Sequence, residues 1–550
     1  MTLRLLALAA LLILPLRPAA AAHDELTIGI TQYPSTLNPV IEAMLAKTYV
    51  LSLAYRPLVV YDAEWKLVCM LCVEAPTLEN GLAEVVELGD GRKGMKVTFT
   101  IRPDATWGDG VPVTSEDMVF AHQVGLDPRS GVVTREPYTR VTQVEVKDAK
   151  TFTLHLDKVK YDYAAAVFDP LPAHLEREAF ADPAQYKTRT KYDTAPTNPG
   201  LYNGPYRIAQ TQPGSYIVLE PSPRWAGKKP EFKRITVKAI ENTAALEANL
   251  VSGGLDMIAG ELGLSLDQGI AFEKRQGKAY DVLFKPGLVY EHVDLNLDNP
   301  VLADVRVRRG LLYGLDREAI SRQLFDGKQQ VADSFVNPLD WMHAKDGIER
   351  YPHDPAKAKA LLEEAGWKAG RGGIRTNDKG EKLTLEFMTT AGNRSRELVQ
   401  QVIQSQWRQI GVEARIKNEP ARVLFGETMR RRAFNLTMYA WMTAPEVSPR
   451  PTLRSDEIPS PDKGGSGQNY PGYRNAEMDG LIDSLEAELD RTKRGALWQR
   501  VQALYAAAVP VLPLFFRSDT YILPKWLKDV RPTGHSAPTT LWVEDWRVQE

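Results

Sequence analysis

Between residues 383 and 416 the hydrophobic period changes twice, and this limits the folds open to the chain. Leu383, Leu385 and Phe387 alternate with polar residues, as a half-buried strand does. Leu398, Val402 and Ile403 follow at helical spacing up to Gly411, and then Val412, Ala414 and Ile416 alternate again. Strand, helix and strand in so short a span form a βαβ unit, whose strands run parallel with the helix crossing between them. Elsewhere Val97, Phe99 and Ile101 alternate, as do Phe152, Leu154 and Leu156, which puts His155 on the opposite face. The chain is therefore mixed α/β.

Helices are marked by their ends. Asp354 precedes Pro355, the apolar face is Ala358, Leu361, Leu362 and Ala365, and Gly366 stops the run. Asp304 and Asp316 each precede a helical stretch, the second carrying Ile320 and Leu324 and ending at Gly327. Met478, Leu481, Ile482, Leu485 and Leu489 form one stripe, and Leu497, Trp498, Val501, Leu504 and Tyr505 another. Such stripes read as core. Residues 509–516 are apolar, are broken by Pro510 and Pro513, and predict a short buried strand. Residues 187–205 and 443–474 are the least regular and read as linkers or binding loops.

The first 22 residues differ from the rest. Arg4 precedes ten apolar residues, 5–14, then Pro15, and the stretch ends in Ala20, Ala21 and Ala22. This is the pattern of a cleaved secretory signal, too short for the roughly 20 residues that span a bilayer. No Cys follows for lipidation, so the mature chain is expected to begin near His23, soluble in the periplasm. The full length of 550 residues suggests about three or four domains. The formal charge of −2 excludes electrostatic binding of nucleic acid as the main role.

Only Cys69 and Cys72 occur. In an exported chain their default is a structural disulfide or paired thiols. A redox role needs the pair to open a helix, and a zinc site needs two further ligands that are not nearby. The run around them, 67–73, reads as buried and extended.

Catalytic motifs fail on context. Gly89, Gly91 and Gly94 match G-x-G-x-x-G, yet a strand follows where a dinucleotide site needs a helix, so the segment is a hairpin turn. No Walker A sequence occurs, Gln468 spoils the near match to G-x-S-x-G, and the eight His form no H-E-x-x-H. Asp294, Asn296 and Asp298 lack the Gly and Glu of a calcium loop, since Asn299 and Val305 stand there, and they read as the polar face of a strand. Binding is favoured over catalysis, with no cofactor.

Seven segments, in order, carry a resemblance. They are 26–31 with 35–39, 97–102 with the run 106–120 (T-W-G-D-G-V-P-V-T-S-E-D-M-V-F), and Asn203 to Tyr206 (N-G-P-Y). Then come 246–256, 305–309, 354–367 and 473–479, the last with Ala476 where a Pro is usual. Together these resemble the large periplasmic solute-binding proteins of peptide, dipeptide and nickel ABC importers, extracellular solute-binding protein family 5. Trp107 and Asp109 mark the family as structural residues, with Ser115 expected to cap the following helix and Glu116 and Asp117 in its first turn.

The resemblance implies a periplasmic-binding-protein-like α/β fold: two lobes joined by two crossing segments, with an extra domain inserted in the first lobe. The crossings are expected near 283–297 and 509–516. The expected division is 23–68, 197–287 and 507–550 in the first lobe, 69–196 in the inserted domain and 288–506 in the other lobe. The implied function is the periplasmic substrate-binding component of an ABC importer. It closes on a peptide or peptide-like solute between its lobes and delivers it to an inner-membrane permease, as a monomer, without enzymatic activity. The alternatives are an exported hydrolase of peptides or glycans, and a periplasmic chaperone or sensor on the same scaffold. Ligand contacts are expected at Tyr33, at Tyr290, Glu291 and His292 on the first crossing, at Trp441, Met442 and Thr443, and at Asn469 and Tyr470. Peptide-binding relatives hold the ligand's ammonium with an Asp where this chain has Ala444. Unless Glu446 or Glu291 substitutes, the expected ligand is a blocked, modified or non-peptide solute, such as a cell-wall fragment, a glycoside or an opine-like compound.

Overall fold

The computed structural model describes residues 23–41, 44–89, 91–132, 134–165, 167–461 and 467–549. The expected export segment, 1–22, and residues 464–466 of the G-x-S-x-G-like run lie outside them. One sheet of 11 strands runs through the molecule. Its middle is formed by two long antiparallel strands, Tyr280–Leu295 and Val511–Pro524. At roughly 3.4 Å per residue, the first of these extends for roughly 50 Å. On one side of the pair lie Leu436–Met442, Thr384–Thr389 and Glu413–Ile416; on the other lie Met257–Ile258, Glu25–Ile30 and Arg234–Ala239, continued by Tyr216–Pro221 and Tyr206–Gln212.

Each long strand serves both groups. Residues 280–286 pair with 518–524 beside the Glu25–Ile30 group, and residues 289–295 pair with Leu436–Met442. The register slips between Pro286 and Val289. Gly287 sits in that slip, where a Cβ would come within 2.6 Å of the Gly534 carbonyl oxygen, so the close approach demands glycine. Two main cores result. One gathers Leu26, Ile28, Phe99, Trp107 and Trp546; the other gathers Val293, Leu311, Leu362, Phe387 and Trp407. These are two α/β lobes joined by two crossing strands.

The second crossing departs from expectation. It is a 14-residue strand, not a short one, and it contains Pro513, which stands opposite His292 beside a second register slip. The βαβ unit forms as its period requires: Thr384–Thr389 pairs parallel with Glu413–Ile416, with helix Arg394–Gln409 between them. Its buried face is centred on Val399, Ile403 and Trp407, one residue on from the expected Leu398 and Val402.

A separate antiparallel sheet contains Ala83–Glu87, Lys93–Thr100, Thr151–Leu156 and Val141–Val146. Gly89 and Gly91, with φ of 79° and 80°, lie in the hairpin between its first two strands. Trp107 is fully buried and donates its Nε1–H to Asp117 at 3.1 Å; Asp117 also accepts the Thr114 N–H at 2.9 Å. Thr114, not Ser115, therefore caps helix Ser115–Leu126, and the Ser115 hydroxyl donates instead to the Asp148 carbonyl. Residues 187–205 are not an extended linker. They fold as short helical turns, and Tyr192 and Tyr202, with Tyr186 just before them, are buried in the first core.

Cys69 and Cys72 are disulfide-bonded with Cα atoms 5.1 Å apart. Leu71 and Cys72 are buried, but Val73 is 60% exposed, so the extended run is only partly inside. No helix among the described residues is long and apolar enough to cross a membrane.

Candidate functional site

Strand alternation builds the site. On the first crossing strand Tyr290, His292 and Asp294 share one face, and Glu291 and Val293 take the other. The first set lines a cavity of about 390 Å³. Trp441 and Met442, at the end of the neighbouring strand, continue the wall into Thr443 and Ala444, and the irregular loop beyond supplies residues 447–449, 451–453, Gln468 and Pro471. Phe335, Tyr505 and Val511 line it as well, and Ser536 adds a contact from the end of the chain.

The aromatic groups hold one another in place. Trp441 pairs with Tyr290 across the strands, and its ring stacks on Tyr470 at 6.2 Å with 8° between planes. Tyr290 stacks on His292 at 4.9 Å, and its hydroxyl lies 3.0 Å from that of Tyr505. Burial holds the phenols of Tyr290, Tyr439 and Tyr505 well above the ordinary tyrosine value, so they are neutral donors. Asp294 is buried and accepts from the Tyr439 hydroxyl at 2.6 Å. His292 donates Nδ1–H to the Tyr290 carbonyl at 3.0 Å, and its Nε2 lies 3.3 Å from Asp294 Oδ1. Both ring nitrogens thus face oxygens.

Of the expected contacts, Tyr290, His292, Trp441, Met442 and Thr443 meet at this cavity, as does Ala444. Five do not line it. Glu291 points to the far side of the sheet, where Arg396 Nε lies at 2.6 Å and Arg517 at 3.8 Å, because consecutive strand residues cannot share a face. Burial raises its carboxyl, but the two guanidinium groups more than offset this and leave it below the ordinary glutamate value. Glu446 has φ 59°, and its carboxylate turns away to accept from Trp341 Nε1 at 2.6 Å beside a different cavity. Asn469 is 0% exposed and staples its own turn, donating to the Arg454 and Tyr473 carbonyls and accepting the Tyr473 N–H. Tyr470 supports Trp441 from behind, and Tyr33 packs half-buried against the first core.

Asp294, Phe335 and Tyr505 were not singled out by the sequence as contacts. Extending the period of two from His292 reaches Asp294. Tyr505 lies in a stripe that reads as core, which it also is. Among the described residues no group of three or more His, Cys, Asp or Glu side chains could hold a metal ion.

Known proteins share this architecture. The chain is 25% identical to the oligopeptide-binding protein AppA of Bacillus subtilis, over 92% of its own length and 88% of the relative's. It is 25% identical to the nickel-binding periplasmic protein of Escherichia coli, covering 91% and 90% respectively. The crystal structure of an oligopeptide-binding protein from Thermus thermophilus, complexed with a pentapeptide, superposes with a TM-score of 0.75 at 27% identity, covering 96% of each chain. The family model for bacterial extracellular solute-binding proteins, family 5 (Middle), matches residues 77–455, and the chain belongs to that family.

Proposed function

We propose that this chain is the solute-binding component of an ABC importer, capturing a peptide-like solute at the Tyr290–Trp441 cavity and handing it to a membrane permease. The observation that carries this reading is the position of the cavity on the crossing strands, where lobe movement alters its walls directly. Relatives named for oligopeptides and for nickel, and a neighbour solved with a pentapeptide, support a captured solute. The family consists of binding proteins, which supports a role without catalysis and does not favour the hydrolase reading.

Export, with cleavage near Ala22, and a monomer without affinity for nucleic acid complete the proposal. The lobe division also belongs to it, with one change. Residues 511–516 pair with the second lobe and share its core, which supports moving the boundary from 507 to about 517. A solute with a free ammonium group finds a poor site here. Ala444 offers no carboxylate, Glu291 and Glu446 face away, and Asp294 is already engaged. Mass spectrometry of the natively purified protein tests the reading. A stoichiometric small molecule, absent from a Trp441→Ala preparation, is expected; turnover of that molecule into a product would overturn it.

A further inference from the structure

The charge of the solute can be read from what the cavity lacks and from where the nearby charges are spent. Among the described residues its lining contains no Lys and no Arg. Its one basic ring, His292, lies against Asp294, which is also its one acid.

The guanidinium groups attached to the surrounding strands and loops are committed elsewhere. Arg317 is buried, donating to the Ala332 carbonyl, to Pro513 at 3.2 Å and to Tyr351 at 3.0 Å, beside Asp333. Arg396 and Arg517 face Glu291 across the sheet. Arg432 donates to the Tyr470 and Pro471 carbonyls and pairs with Asp298. Arg494 donates to the Glu488 and Leu489 carbonyls near Glu446. Turning Arg317, Arg396, Arg432 or Arg494 toward the cavity would strand a carbonyl or a carboxylate, and Arg517 stands with Glu291 on the far face of the sheet.

Resting on the solute-capturing role proposed above, we infer that the solute is uncharged where it meets this cavity, and that free carboxylates and anionic metal chelates are rejected. An ionised acid entering here loses its hydration and gains no counter-charge from the described lining residues. What the walls do offer is the rings of Tyr290, Phe335, Trp441 and Tyr505, with a few neutral hydrogen-bonding groups such as Thr443, Thr452 and Gln468. A planar amide or a sugar ring suits such a surface. An end-blocked peptide and a neutral glycoside share this chemistry; an opine-like acid does not.

Calorimetry on the purified chain with matched pairs tests the inference and separates the two sources. One pair is an N-acetyl dipeptide amide and the same N-acetyl dipeptide with a free carboxylate. The other is hexyl β-glucoside and hexyl β-glucuronide, which exchanges a hydroxymethyl for a carboxylate. In the pair that binds, the uncharged member is expected to be about a hundredfold tighter. Thr452→Arg and Gln468→Arg, made separately in case one fails to fold, should each recover at least about tenfold for the acid. An acid that binds as tightly as its neutral partner overturns the inference and leaves the capturing role standing. No binding by any of the four at millimolar concentration would remove this cavity as the solute site, and the inference with it.

Discussion

Removing Arg396 should destabilise the second lobe and leave solute affinity intact. Glu291 sits on the first crossing strand between two cavity residues, 3% exposed, with Arg396 Nε 2.6 Å away. At an effective dielectric near 20, that separation corresponds to about 6 kcal/mol of attraction, most of it offset by the cost of desolvating two ions. Arg396→Met leaves the carboxylate buried with only Arg517, which is 3.8 Å away and 41% exposed and therefore screened. A loss of about 3 kcal/mol is expected, at the low end for a broken buried pair. In a lobe of this size that lowers the thermal midpoint by about 6–12 °C. Adding Glu291→Gln removes the stranded charge and should recover about 2 kcal/mol of the loss. The sign with pH follows from the paired state. Glu291 is held below its ordinary value, so its contribution is present above about pH 4.5 and is lost as pH falls further. In Arg396→Met the deficit should shrink on acidification, as the unpaired carboxyl takes up a proton. Scanning calorimetry of the wild type and both variants would decide the matter. A midpoint within about 2 °C of wild type for Arg396→Met, or a double variant whose losses simply add, would refute the reasoning.

Asp519 is pushed up to about 7 by burial and then by the nearby Glu261 carboxylate. Its folded-state value lies above its unfolded one, so its contribution to stability is lost as pH rises from about 4 through 7. Asp519→Asn should therefore raise the midpoint at pH 8 and flatten its dependence over that range, which thermal scans at several pH values can check. Converting Cys69 and Cys72 to Ser should lower the melting temperature and leave affinity within a few fold, because neither touches the cavity. A loss of binding with an unchanged circular dichroism spectrum would contradict this.

What could be read from the sequence was what local rules control. The period change at 383–416 and the capping role of Asp354 depend on a few neighbouring residues and appear in the structure where expected. The apolar run of the second crossing ends at Phe516, where Arg517, Ser518 and Asp519 begin, and only the pairing of 518–524 with 280–286 reveals that the strand continues. Residues 187–205 looked like a loop because their anchors, Tyr192 and Tyr202, are separated by turns and are buried only through tertiary packing.

At the site the same distinction holds. Tyr290 and His292 share the face that lines the cavity, and the period of two that joins them passes over Glu291 and reaches Asp294. The outward turn of Glu446 follows from a left-handed backbone conformation at a non-glycine residue, which no local pattern announces. Asn469 had the residue type of a ligand contact but serves its own turn.

The proposed solute site is the cavity walled by Tyr290 of the first crossing strand and Trp441 of the strand beside it. Calorimetry with the molecule recovered from the native protein, on wild type and on Tyr290→Ala and Trp441→Ala, tests it most directly. Each variant is expected to lose a factor of about ten or more in affinity, roughly 1.4 kcal/mol, with its melting transition retained. Undiminished affinity in both folded variants would mean that the solute binds elsewhere.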